Sequence, residues 1–287
     1  MSPQLLALFS AFSYASFTIC ARLGLNYSTP ITATIVSLSV RTLTLWAAVF
    51  LTGGIPKVAP VALLLFVILG IVQTAMSLLT FTGLYKMGAA RSEPLRNSYP
   101  LWSAIIAIAF LHEEAGFPVL LGTLLVVGGV TLISWRPAVT TSTYRWWHVF
   151  FSLAAAFLAG IAFPVRRYAL TISNEPVFFG AVVAVVSLAC LVIYLFIPVA
   201  TRPIVWNRKA LLSFIVAGCF EALGVVLAFM ALSVGRVVVV SPIVATTPLW
   251  TLLLTVILLR GHERVNPRTI LGIACVVTGT IAITLGR

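Results

Sequence analysis

The stretch Pro94-Leu-Arg-Asn-Ser-Tyr-Pro-Leu-Trp102 returns 148 residues later as Pro242-Ile-Val-Ala-Thr-Thr-Pro-Leu-Trp250. Both copies read Pro-x5-Pro-Leu-Trp, and their surroundings hold the same register. Upstream, Gly70, Leu79 and Phe81 pair with Gly218, Leu227 and Phe229 at that shift. Downstream, a two-residue insertion raises the shift to 150, which pairs His112-Glu113 with His262-Glu263, Leu121-Gly122 with Leu271-Gly272, and Gly129 with Gly279. A rare motif repeated in register with its flanking glycines identifies an internal duplication. Residues 1–138 form the first unit and 146–287 the second, separated by the longest break between apolar runs, about Arg136 to Arg145.

The units are built for lipid. The 287 residues are 61% hydrophobic and 8% charged, where soluble domains carry about 25% charged residues. Ten apolar runs follow one another: Leu5 to Ala21, Ile31 to Leu51, Val61 to Tyr85, Pro94 to Leu111, Phe117 to Trp135, Trp147 to Tyr168, Val177 to Val199, Ala210 to Val234, Val237 to Leu259 and Thr269 to Leu285. Each is close to the roughly 20 residues that a spanning helix needs. Helices are required because lipid cannot satisfy exposed backbone groups, and the runs lack the alternation of a barrel strand. The first run is followed by more of its kind, so it reads as a retained helix and not a cleaved leader. Ten crossings put both termini on one side. Five crossings per unit, an odd number, make the second unit enter from the opposite face, so the fold is all-α with two inverted five-helix repeats. That symmetry belongs to secondary carriers, in which two similar units exchange conformations about an axis in the membrane plane.

The ionisable residues are 15 Arg, 3 Lys, 3 His and 6 Glu, with no Asp. This excludes Ser-His-Asp hydrolysis, Asp-based magnesium chemistry and EF-hand loops. The net charge of +12 lies mostly at the ends of apolar runs, where it sets topology; it forms no clustered basic face for nucleic acid. Cys20, Cys190, Cys219 and Cys275 show no CxxC and no histidine at ligand spacing, so free thiols and no metal are expected. No cofactor is implied. His112 and His262, beside Glu113 and Glu263, are expected to stabilise turns.

A few polar residues fall inside the runs and are the candidates for function. Glu221 stands mid-run, where a charge costs about 2.5–3.5 kcal/mol on insertion scales and is functional by default. Its repeat mate is Gln73, and the pair places two hydrogen-bonding groups across one space, with Glu221 as receptor for an ammonium group or a coupling proton. Arg41 is also mid-run and is read as a structural arginine held by carbonyls and the nearby hydroxyls of Ser37, Thr42 and Thr44, with reception of a substrate carboxylate as the alternative. Asn97, Tyr99 and Trp102, with Thr246 and Trp250 in the second copy, form a wall for a zwitterion with a flat side chain, and Tyr14 extends it from the first run. Pro94, Pro100, Pro164, Pro242 and Pro248 are hinge candidates, because proline frees carbonyls that only protein or water can satisfy at membrane depth. Gly122, Gly128, Gly129, Gly272 and Gly279 are read as close-packing positions.

The arrangement Gly83-Leu-Tyr-Lys-Met-Gly-Ala-Ala-Arg91, Pro100, Phe110-Leu-His-Glu-Glu114 and Leu121-Gly-x5-Gly-Gly-Val130 resembles the EamA branch of the drug/metabolite transporter superfamily. The second unit repeats it as Ala231-Leu-Ser-Val-Gly-Arg236, Pro248, Glu263 and Leu271-Gly-x6-Gly279. Within that branch the pattern is most similar to bacterial aromatic amino-acid exporters of the YddG type. The resemblance implies a central cavity between the halves, a multi-pass protein of the bacterial inner membrane, and efflux of aromatic or apolar amino acids, with methionine or threonine as further substrates. It departs from the small multidrug-resistance relatives, which carry an essential first-helix Glu that is missing here.

The expected function is therefore secondary export of a small molecule by alternating access, with membrane lipid as surroundings, no nucleic-acid partner, and a monomer sufficient to enclose the cavity. A multidrug or nucleotide-sugar carrier is the alternative within the superfamily. A polytopic membrane enzyme is the alternative outside it, and would need a converging catalytic set that the sequence does not display. Arg and Lys near the odd-numbered breaks number 12 against 5 on the other side, which places both termini outside. The family resemblance implies cytoplasmic termini, the orientation adopted at this stage.

Overall fold

The computed structural model describes residues 2–87, 92, 95–134, 146–196, 204–258 and 267–286. The described residues are helical throughout their membrane-spanning parts: α1 (Pro3–Leu25), α2 (Pro30–Leu51), α3 (Pro60–Met87), α4 (Tyr99–Leu111), α5 (Phe117–Ser134), α6 (Val149–Ile172), α7 (Pro176–Leu195), α8 (Arg208–Val234), α9 (Val237–Val244), α10 (Thr247–Leu258) and α11 (Pro267–Leu285). Among them, nine stretches are long and apolar enough to cross a bilayer, the ninth being α9 and α10 taken together, with α4 as a shorter apolar helix.

Helix starts follow from proline. Pro3, Pro30, Pro60, Pro176 and Pro267 each open a helix, where the missing N–H costs nothing and the fixed φ suits the first turn. Ser2 and Asn207 cap α1 and α8 through side-chain oxygens that accept from the Leu5 and Lys209 amides. After α2 the chain turns at Gly53 and Gly54, both at positive φ, where a Cβ would be strained.

The two proline motifs fold alike. Asn97 and Ser98 form a turn before α4, and their repeat mates Ala245 and Thr246 form the turn between α9 and α10. Pro100 and Pro248 then sit in the first turn of the following segment, so they begin a helix instead of bending one. Pro242 and Pro164 lie inside α9 and α6, both buried. Pro94 lies outside the described residues.

The halves interlock. α1 packs on α8 as its mate α6 packs on α3, and α2 packs on α8 as its mate α7 packs on α3. Each half therefore supports its first two helices on the third helix of the other. The pair α5 and α11 lies on the pseudo-two-fold axis. A Cβ added at Gly122 would come within 2.6 Å of the Gly279 carbonyl, and one at Gly129 within 2.6 Å of the Gly272 carbonyl. Because Gly122 and Gly272 are mates, as are Gly129 and Gly279, the two contacts are images of each other. Their reversed order makes the helices antiparallel, and mates that run antiparallel across a membrane establish the inversion. The close-packing role expected for Gly122, Gly129, Gly272 and Gly279 is what the contacts show; Gly128 faces open space.

Hydroxyls inside the helices are mostly spent on the backbone. Ser13, Ser16 and Thr18 donate to carbonyls four residues back, and Ser10 to the Gly224 carbonyl of α8 at 2.8 Å. The serine-rich face of α1 is thus self-satisfied. Apolar packing fills the space between, with Phe66 stacked on Phe179 at 4.1 Å and against Phe229 at 5.7 Å.

Candidate functional site

Four polar residues occupy the midpoints of their helices: Tyr14 in α1, Arg41 in α2, Gln73 in α3 and Glu221 in α8. Glu221 is 13 residues from either end of α8, about 20 Å of helix each way. It cannot snorkel to an interface. Instead Arg41 Nη1 donates to Glu221 Oε1 at 2.7 Å. The Arg41 side chain is 7% exposed and that of Glu221 18%, so the pair is largely enclosed.

The repeat mate of Glu221 is engaged in the same way. Arg166 Nη2 donates to Gln73 Oε1 at 3.2 Å. Each contact bridges the halves: Arg41 of the first half reaches an acceptor in the second, and Arg166 of the second reaches the mate of that acceptor in the first. The guanidinium of Arg166 also lies over the rings of Phe163 and Phe229, at 5.6 and 5.2 Å. Tyr14 is within electrostatic range of Arg166, Glu221 and Arg41, and Tyr99 is in range of Tyr14 and Arg166. Gly224, one turn beyond Glu221, leaves room for the Tyr14 ring; a Cβ there would meet it at 3.2 Å.

Of the residues singled out in the sequence, Tyr14, Gln73, Tyr99 and Glu221 are brought together. Tyr99 stacks on Phe163 at 5.4 Å. Asn97 is buried in the turn before α4, and its amide nitrogen has no hydrogen-bond partner among the described residues. Trp102 and Trp250 are engaged in edge-on packing against Phe157 and Phe12, at 5.4 and 5.7 Å, a pair of contacts that repeats between the halves. Thr246 is buried and donates to the Ile243 carbonyl at 2.7 Å, while its neighbour Thr247 donates to the Val244 carbonyl that Pro248 cannot serve.

Two arginines are placed differently from their sequence reading. Arg41 is held by Glu221 and not by hydroxyls, since Ser37 donates to the Phe214 carbonyl and Thr42 to the Leu38 carbonyl. Arg166, counted as a boundary charge, points inward, because α6 runs on to Ile172. Arg167 stays at the helix ends. Its Nη1 donates to the Leu232 and Ser233 carbonyls at 2.8 and 2.7 Å, a cation on the negative end of α8.

At one end of the bundle the halves meet through His112 and its neighbours. His112 adopts a left-handed conformation, φ 52, that ends α4. The turn delivers the Glu113 carboxylate to the N-terminus of α9, where it accepts from the Val237 and Val238 amides at 2.9 and 3.0 Å. Arg236 donates to the Glu114 carbonyl at 3.2 Å. A cavity of about 640 Å³ opens there, lined by Phe110, Glu113, Arg167, Tyr168 and Arg236 among others. His262 and Glu263 lie outside the described residues.

Comparison with known families assigns the architecture. The model of the EamA-like transporter family matches residues 1–135 and 146–285, one match for each repeat. The chain belongs to the EamA-like transporter family. It is a multi-pass membrane protein of a family that transports small molecules. No curated protein matches this EamA protein. Among solved structures, a crystal structure described only as that of a protein superposes with a TM-score of 0.79 at 16% identity, over 99% of this chain and 96% of its own. That similarity shows the fold alone.

Proposed function

We propose that this EamA protein is a secondary exporter of aromatic and other apolar amino acids, working by alternating access in a bacterial inner membrane. The carrying observation is the polar centre at the helix midpoints. Glu221 and Gln73 are repeat mates, and each holds an arginine from the opposite half. A rocking motion of one half against the other strains both contacts together, so a substrate bound between them is coupled to the motion.

Glu221 is the coupling candidate in this reading. A proton or a substrate ammonium group competes with Arg41 for the carboxylate and frees the first half from the second. Tyr14 and Tyr99, with Phe163 beside them, supply flat surfaces for an aromatic side chain, while the unpartnered amide of Asn97 is available to a polar end. The test is reconstitution into liposomes with labelled phenylalanine, tyrosine, tryptophan, methionine and threonine, with and without a proton gradient. Uptake of the aromatic members is expected, and Glu221→Gln should remove its dependence on the gradient. Transport of none of the five refutes the amino-acid assignment.

A further inference from the structure

The polar centre carries an imbalance. Among the described residues at the helix midpoints Glu221 is the one carboxylate, and its ion pair with Arg41 leaves Arg166 without one; Arg96, in electrostatic range of Tyr99, is a further cation nearby. Among the described residues Arg166 has no carboxylate partner. Its neighbours are the Gln73 amide, the faces of Phe163 and Phe229, and the hydroxyls of Tyr14 and Tyr99. An amide satisfies a donor without supplying charge, and the Nε of Arg166 is buried with no partner at all. Leaving a cation uncompensated at membrane depth is costly.

We infer that Arg166 is the receptor for a substrate carboxylate, and that this transporter selects solutes that present one on a flat apolar body, aromatic amino acids and aromatic carboxylates above all. The inference rests on the transporter reading and deepens it: the carboxylate of the substrate is what the site demands, because Glu221 is already neutralised by Arg41. A guanidinium presents paired donors to a carboxylate. Phe163, stacked with Tyr99, and Phe229 flank it with ring faces suited to a flat apolar body.

The experiment measures binding to the purified full-length protein by calorimetry with four probes of one shape: phenylalanine, 3-phenylpropionate, phenylalaninamide and phenethylamine. The two carboxylates are expected to bind, and the two probes lacking a carboxylate to bind about 10- to 100-fold more weakly, the value of a charge-assisted hydrogen bond. Arg166→Gln should erase that difference, while Arg166→Lys keeps part of it. Gln73→Glu is the decisive variant, because it supplies the missing charge internally. It should raise thermal stability and abolish carboxylate binding in a protein that is demonstrably folded. Equal binding of phenylalanine and phenylalaninamide overturns the inference and leaves the amino-acid reading standing. Binding of 3-phenylpropionate without phenylalanine supports the inference and removes that reading. Absence of carboxylate binding, or a Gln73→Glu protein that binds carboxylates as well as the parent, overturns the inference.

Discussion

Gly128 and Gly129 are neighbours in α5 with opposite surroundings, and alanine at each separates helix propensity from helix packing. A Cβ on Gly129 would lie 2.6 Å from the Gly272 carbonyl oxygen and 2.8 Å from the Val276 amide nitrogen, whereas one on Gly128 meets nothing within 4 Å. Ordinary contact begins near 3.4 Å, so α5 and α11 must part by about 0.8 Å to admit the methyl group, and backbone atoms cannot rotate away as a side chain can. Alanine gains up to about 1 kcal/mol over glycine in a helix at both sites. Overpacking costs about 1–3 kcal/mol at Gly129 alone. The two variants should therefore differ by about 1–3 kcal/mol, with Gly128→Ala the more stable, a gap of several degrees in the unfolding midpoint of a chain this size. Adding Gly122→Ala to Gly129→Ala should cost less than the two effects together, since one separation of the helices relieves both contacts. Thermal unfolding of the purified proteins in one detergent measures all of this. Gly128→Ala and Gly129→Ala with equal midpoints would show that α5 and α11 do not meet at the pseudo-two-fold axis as described.

Further perturbations address the site and its surroundings. Glu221→Gln strands the Arg41 guanidinium, and because Glu221 keeps 18% exposure the loss should fall at the lower end of the about 3–5 kcal/mol seen when a buried pair is broken; a double-mutant cycle with Arg41→Gln should recover part of it, and strict additivity would count against the pairing. Glu113→Ala removes the acceptor for the Val237 and Val238 amides and should destabilise by about 1–2 kcal/mol, with faster hydrogen exchange confined to the start of α9; unchanged exchange there would exclude the cap. Trp102→Ala and Phe157→Ala should show a coupling of about 0.5–1.5 kcal/mol in unfolding measurements, while weakened binding of aromatic substrate beyond the stability loss would assign Trp102 to the cavity wall as well. With Arg166 turned inward, the smaller side of the charge count falls from 5 to 4, so a C-terminal alkaline phosphatase fusion should be active and a fluorescent protein fusion dark, the reverse of what the family resemblance implies.

The architecture was legible because it is written in local chemistry. Proline at helix starts, the paired Pro-x5-Pro motifs and the glycines at matched spacing each follow from backbone sterics, and the duplicated motif and glycines confirmed the register. The turns at Asn97-Ser98 and Ala245-Thr246 fell where the motif placed a break. The site was only half legible. Glu221, Gln73, Tyr14 and Tyr99 stood out as polar residues within apolar runs, but partners separated by the whole length of a repeat leave no trace in a single sequence. Arg41 beside three hydroxyls invited a local solution, and the structure spends those of Ser37 and Thr42 on carbonyls. Arg166 was hidden by a boundary: ending the sixth run at Tyr168 put it at the membrane edge, whereas α6 continues another turn to Ile172. Trp102 and Trp250 show the converse, since a recurring tryptophan reads equally well as a ligand wall or as packing against a recurring phenylalanine.

The unlike chemistry at the two mated positions has a thermodynamic consequence. Two identical inverted repeats give inward-facing and outward-facing conformations that are mirror labels of one state, degenerate in energy apart from the membrane itself. Here one position holds an ion pair and the other a neutral acceptor, so exchanging the roles of the halves no longer returns an equivalent molecule. In the alternating-access carrier proposed above, the degeneracy is lifted within the protein, and the resting population leans to one side of the membrane before any gradient is applied. Turnover then depends on a bound solute that offsets this internal bias.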